Sequence, residues 1–255
     1  MTRKRGNLRW WIATVMGGLG VCLGVALGCW QLDRAAQKTE LFESMQARSA
    51  APVLDAGAVR ESLSQGEAAW SALLHRSVQL QGRWLAEHTV YLDNRQMNGR
   101  TGFYVFTPLQ LSQGDVVLVQ RGWLARNFQD RTALPPLETP SEPVQVNARL
   151  AGAPGRVYAL GRDMVEQNAQ PDIRQNLDMD AFSQQSGLTL WPLTVVQTDA
   201  DSEGLLRNWP QVNNGVATHH GYAFQWFAIA TVLAGMLLWF QFLKPARRKQ
   251  ERNAT

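Results

Sequence analysis

Two stretches of the chain carry no charged residue for 23 positions each, Trp10 to Leu32 and Gly221 to Leu243. At about 1.5 Å per residue such a helix extends roughly 34 Å, enough to cross a hydrocarbon core of about 30 Å. Both are read as membrane-spanning helices, with bounds 10–32 and 222–243. Trp10, Trp11 and Trp30 bracket the first, while Tyr222, Trp226 and Trp239 lie near the ends of the second. Such rings favour the membrane interface because one edge is polar and the body apolar. Two buried core helices are the bland alternative, but core helices rarely run this long without a charge. A removable signal peptide is the stronger rival for the first stretch, with small residues at Ala26 and Gly28, or lipoprotein cleavage at Cys29. The apolar run exceeds the roughly 7–15 residues of a signal core, and helical sequence continues beyond it, which favours a retained span.

Between the spans the periodicity changes. Asp33 to Arg48 continues as helix, with Leu41 and Met45 four apart and Arg34 and Lys38 likewise. Ala50 to Gly66 is small, polar and Pro-broken, the composition of a linker or loop. Val78, Leu80, Gly82 and Trp84 then alternate with polar residues, the period of a half-buried strand. Val90 and Leu92 mark a second strand, and Asn98-Gly99 signals a turn into Gly102–Leu109. Val116–Leu124, Val144–Leu150 and Leu188–Thr198 complete the series, the last needing an edge or a bulge at Pro192. Leu177 to Ser186 reads as a short helix, with Asp178 or Asp180 at its start and Gly187 after its end. The fold class expected is a membrane protein of α+β type, two transmembrane helices flanking a mostly antiparallel β domain over 33–221.

Charge fixes the expected orientation. Residues 1–9 carry four basic side chains and no acid, and residues 244–255 carry five basic side chains against Glu251. That leaves 16 basic and 20 acidic residues, net −4, over 10–243. Basicity confined to two short tails is poor for a nucleic-acid surface and marks both tails as cytoplasmic (N-in, C-in) by the positive-inside rule. The large middle domain then faces the periplasm, and the protein is expected to be multi-pass in a bacterial inner membrane. Gly20, Gly24 and Gly28 form one face without side chains, and Ala223, Ala230 and Ala234 a similar one. Such faces let helices approach closely in lipid, although Gly and Ala are also simply common in membrane helices. Cys22 and Cys29, the only cysteines, stand about 10 Å apart along a helix, too far for a disulfide. The middle domain therefore has no thiol redox pair and no thiolate copper site.

No nucleophile elbow, Walker loop, zincin pair or EF-hand loop is present, and no catalytic constellation can be assembled, so an enzyme is not expected. Gly152, Gly155 and Gly161 lack dinucleotide-loop spacing, and His75 and His88 stand alone. Arg76, Arg83, Arg95, Arg100, Arg121 and Arg126 are frequent around the first strands, where ordinary pairing explains them, although the guanidinium fork also suits carboxylates such as those of a porphyrin. His219-His220 is the sharper signal, because it abuts the second span. Helical spacing places His219 with Ala223, Trp226, Ala230 and Ala234, aimed at the first span near Gly28 and Trp30, while His220 joins Phe224, Phe227 and Thr231. A neutral imidazole there can ligate haem iron, or can simply cap the helix start or stay wet.

The run Gly28-Cys29-Trp30-Gln31-Leu32-Asp33-Arg34, with Lys38 four residues on, resembles a signature at the end of the first span of the Surf-one (surfeit locus protein) family. Thr107-Pro108, Arg121-Gly122-Trp123, and His219-His220-Gly221-Tyr222-Ala223 followed by Trp226-Phe227 resemble further family segments in the same order. The resemblance implies an assembly factor for haem-copper cytochrome oxidase that acts on haem a, with the catalytic subunit and the haem a synthesis machinery as partners. His219 matches the family's histidine, and His220 departs from its more usual apolar residue. On that basis His219 is expected to ligate the haem iron transiently, Trp226 and Trp30 to pack the ring, and the Gly/Ala cleft to take the apolar tail. A cofactor-free scaffold binding oxidase subunits is one alternative. A tethered periplasmic sensor is another, disfavoured by the short segment after Leu243.

Overall fold

The computed structural model describes residues 4–127, 129–130, 133–157, 172–209 and 215–243. Residues 1–3, the segment 244–255 and Gly161, all invoked above, lie outside them. The chain forms two compact units, Met1–Glu43 with Asn213–Thr255, and Ser44–Val212.

The first unit is built from helix α1, Lys4–Ala50, and helix α5, Val216–Leu237, the latter continuing as a π-helical turn over Leu238–Leu243. Each contains a segment long and apolar enough to cross a membrane, Trp10–Ala50 and Val216–Gln241. The helical extension expected past Asp33 is present, because nothing between Leu32 and Ala50 breaks the α1 ladder. Helix α5 begins at Val216, so the His219-His220 pair sits inside its first turns. The glycine face of α1 meets α5 directly. A Cβ on Gly28 would lie 2.6 Å from the ring of Phe227, one on Gly24 3.0 Å from the Ala230 methyl, and one on Gly20 3.4 Å from Leu233. Gly17 faces Leu237 in the same way. Ala223 and Ala230 are buried as expected. Leu233 and Leu237 continue the seam beyond Ala230.

The second unit is a β-barrel. Strands β1 (Ser77–Trp84), β2 (Val90–Met97), β3 (Arg100–Leu111), β4 (Val116–Ala125), β5 (Val144–Ala151), β6 (Asp172–Arg174) and β7 (Leu190–Gln197) form one sheet in the order β1-β5-β7-β4-β3-β2-β6. A further β1–β3 pairing, Gly82 to Leu111 and Trp84 to Leu109, closes β1, β5, β7, β4 and β3 into a ring. Gly82 permits that closure, since a Cβ there would collide with the carbonyl of Gln110. Pairing is antiparallel except for β4–β7 and β2–β6. Asn98 and Gly99 both take positive φ, 50° and 75°, the two-residue turn that matches strand twist between β2 and β3.

Strict alternation on β1 sends Val78, Leu80 and Trp84 into the barrel, where they meet Leu109, Val117, Val146, Trp191 and Leu193. The supposed linker over 50–66 is instead largely helix. The Asp55 carboxylate caps α2 (Ala56–Ser64) by accepting from the Ala58 N–H, and α2 places Val59 into the barrel core. A five-residue helix α3, Glu67–Ser71, follows, with Trp70 packed on the same core. Composition concealed α2 because its apolar positions are few and its caps small and polar. Helix α4, Met179–Ser186, has Asp178 as N-cap and Gly187 at φ 70° after its end, as expected. Its Phe182 covers the outer face of β2, β3 and β4 with Val90, Phe106 and Leu118. Pro192 lies where the β4–β7 register slips, two residues of β4 spanning four of β7, so the required bulge is present on an interior strand.

Candidate functional site

His219 is half-buried on α5, and its Nδ1 stands 2.7 Å from Oε1 of Gln31 on α1. Both residues share the seam face. Gln31 follows Gly24 and Gly28 at helical spacing, and His219 precedes Ala223 and Ala230 likewise. Ala35 and Ala223, each four residues beyond its partner, are both buried, and their methyl groups leave room for amide and ring to meet. The His219 ring has no other hydrogen bond among the described residues, which leaves Nε2 as its remaining nitrogen.

The other expected site residues divide. Trp226 lies on the seam side of α5, half-buried, its carbonyl oxygen 3.4 Å from where a Gly24 Cβ would stand. Trp30 lies elsewhere. At about 100° per residue it is turned well away from Gly28 and Gln31, and it is 49% exposed with the Arg34 guanidinium 5.8 Å from its ring centroid. His220 is exposed. The seam is closed rather than cleft-like, since Phe227 and Ala230 already occupy the space over Gly28 and Gly24. Among the described residues, the space over Gly24 and Gly28 therefore holds no cleft for an apolar tail.

A second polar centre, underestimated from sequence, lies in the barrel unit. The β3–β4 register slips by one residue between Val105 and Phe106, which pair with Gly122 and Gln120, so Arg121 is the extra residue of a bulge. The bulge turns its side chain into the domain. There it is fully buried, 4.7 Å from the Trp84 ring centroid, donating to Thr139 Oγ1 at 2.8 Å, the Glu138 carbonyl at 3.0 Å and Glu203 Oε2 at 2.8 Å. Arg207 shares Glu203 at 3.1 Å and donates through Nε to the Arg121 carbonyl at 2.6 Å. Burial pulls the Arg121 guanidinium below its ordinary pKa, against the pull of Glu203. Trp123 Nε1 donates to the Arg95 carbonyl at 2.9 Å. The Arg121 Nη groups, Arg207 and Glu203 satisfy one another, as expected for structural arginines, while the buried Arg121 Nε makes no hydrogen bond, and the only sequence sign of the bulge was the Gly122 beside Arg121.

His75 takes a positive φ of 72°, and His88 lies 3.9 Å from Glu87. Among the described residues no group of three or more His, Cys, Asp or Glu could hold a metal ion. Cys22 and Cys29 are free thiols.

Two long apolar helices zipped along glycines, with a closed barrel domain between them in sequence, define the class of the molecule. The chain belongs to the SURF1 family, whose model matches residues 19–231. It is similar to the SURF1-like protein of Rickettsia bellii, 25% identical over 215 residues that cover 82% of each chain. That of Rickettsia felis is 24% identical over 82% of this chain and 88% of its own. A Saccharomyces cerevisiae protein named cytochrome oxidase assembly protein SHY1 is 28% identical over 101 residues, 39% of this chain and 24% of that one.

Proposed function

We propose that this protein serves the assembly of haem-copper cytochrome oxidase as a membrane-anchored holder of haem a, not as an enzyme. Family membership and the name of the yeast relative support the oxidase role. Helices α1 and α5 span the bacterial inner membrane, the basic ends 1–9 and 244–255 stay in the cytoplasm, and the barrel lies in the periplasm.

One observation carries the haem reading: a half-buried imidazole at the head of an apolar helix, with one nitrogen engaged by Gln31 and the other left over. That donor fits a haem iron, for which neutral imidazole is a common axial ligand. His219 would hold the iron and Trp226 would pack beside it. A cargo held by one side-chain ligand can be released to the oxidase catalytic subunit.

The test is complementation of a strain lacking the protein with His219→Ala. Oxidase isolated from that strain is expected to be depleted in haem a while the variant accumulates normally in the membrane. Full haem content would favour the cofactor-free scaffold instead.

A further inference from the structure

The geometry points to Gln31 as the residue that sets which nitrogen His219 offers, an inference that rests on the haem-holding reading above. A side-chain amide oxygen can only accept a hydrogen bond. With Oε1 of Gln31 at 2.7 Å from Nδ1, the ring nitrogen must be the donor, so the proton of the neutral imidazole sits on Nδ1 and the lone pair on Nε2. An unconstrained histidine side chain prefers the opposite tautomer, with its proton on Nε2 and no lone pair there for a metal.

The surroundings enforce the arrangement. Gln31 and His219 face each other beside the buried methyls of Ala35 and Ala223, where no other described group bonds the ring. In this half-buried seam the hydrogen bond couples amide to ring and fixes ring rotation as well as tautomer. Nε2 then opens on the side of the ring turned away from Gln31. Gln31 is thus a positioning residue. It acts on the cargo only through His219, as outer-shell partners of metal-bound histidines do.

The experiment uses the full chain in detergent micelles, labelled with ¹⁵N-histidine, the His219 ring being assigned from its absence in His219→Ala. Long-range ¹H–¹⁵N spectra of the haem-free protein at pH 8 are expected to show the proton on Nδ1. They should show it moved to Nε2 in Gln31→Met, which keeps side-chain length but removes the acceptor. Titration with hemin, iron protoporphyrin IX, is expected to give affinity about 10–100-fold weaker in Gln31→Met. Gln31→Glu, which restores an acceptor oxygen, should return both tautomer and affinity toward the wild type. A wild-type ring protonated on Nε2, or a Gln31→Met variant that binds hemin as the wild type does, overturns the inference. Hemin affinity unchanged in His219→Ala overturns instead the reading it rests on, and the tautomer spectra keep the two failures apart.

Discussion

The guanidinium of Arg121 lies 4.7 Å from the ring centroid of Trp84, with none of the arginine side chain reaching solvent. A one-residue bulge on β4 aims it there, and the Glu203 carboxylate that neutralises it is shared with Arg207. Two buried cations therefore depend on one acid.

Removing that acid strands both. Glu203→Gln is expected to cost about 3–5 kcal/mol, the range for breaking a buried ion pair by deleting one partner. Arg121→Lys should cost less, about 1–3 kcal/mol, since an ammonium keeps the charge but cannot span Thr139, Glu138 and Glu203 together. Urea unfolding of the full chain, followed by tryptophan fluorescence, ranks the two. A harmless Glu203→Gln would show that the guanidiniums find other compensation.

A pH dependence follows from His75. Its Nδ1 is enclosed without a hydrogen bond, and burial, reinforced by Arg149 and Arg48, holds its pKa below the ordinary 6.5. The unfolded chain therefore takes up this proton at higher pH than the folded one. Stability is lost as pH falls from about 6.5 toward the lower folded value. His75→Asn, whose side chain tolerates the left-handed backbone, is expected to narrow the gap in unfolding midpoint between pH 7.5 and pH 5.5. An unchanged gap would remove His75 from the effect.

The helix seam is open to a covalent test. The position of a Gly24 Cβ lies 3.0 Å from that of Ala230, close to the roughly 3.5–4.5 Å a disulfide spans. With Cys22 and Cys29 replaced by alanine, Gly24→Cys together with Ala230→Cys should oxidise to an intramolecular bond, read as a mobility shift on a non-reducing gel. Pairing Gly18→Cys with Ala230→Cys should not, because Gly18 faces nothing within 4 Å. Equal cross-linking of both pairs would mean that the helices do not keep this register.

The two long apolar helices, the β-rich middle and the face of His219 were legible because each rests on a period: charge-free length, strand alternation, or helical spacing from His219 to Ala230. Helix α4 was legible from its caps, Asp178 and Gly187. Three things were not. Barrel closure depends on β1 meeting β3 across Gly82, a long-range pairing that no local pattern encodes. The inward turn of Arg121 depends on a register slip between two strands. Gln31 adjoins Trp30, and no local pattern distinguishes the amide from the indole as the partner of the facing helix. Only the facing helix shows that the amide, and not the indole, shares the seam with His219.

The measurement that bears most directly on haem holding is the absorbance spectrum of the full-length protein, purified after coexpression with haem a synthesis, oxidised and then reduced. The expected result is a Soret band in the wild type that is lost or shifted in His219→Ala. No Soret band in the wild type, or an identical band in the variant, would contradict the assignment of His219 as the ligand.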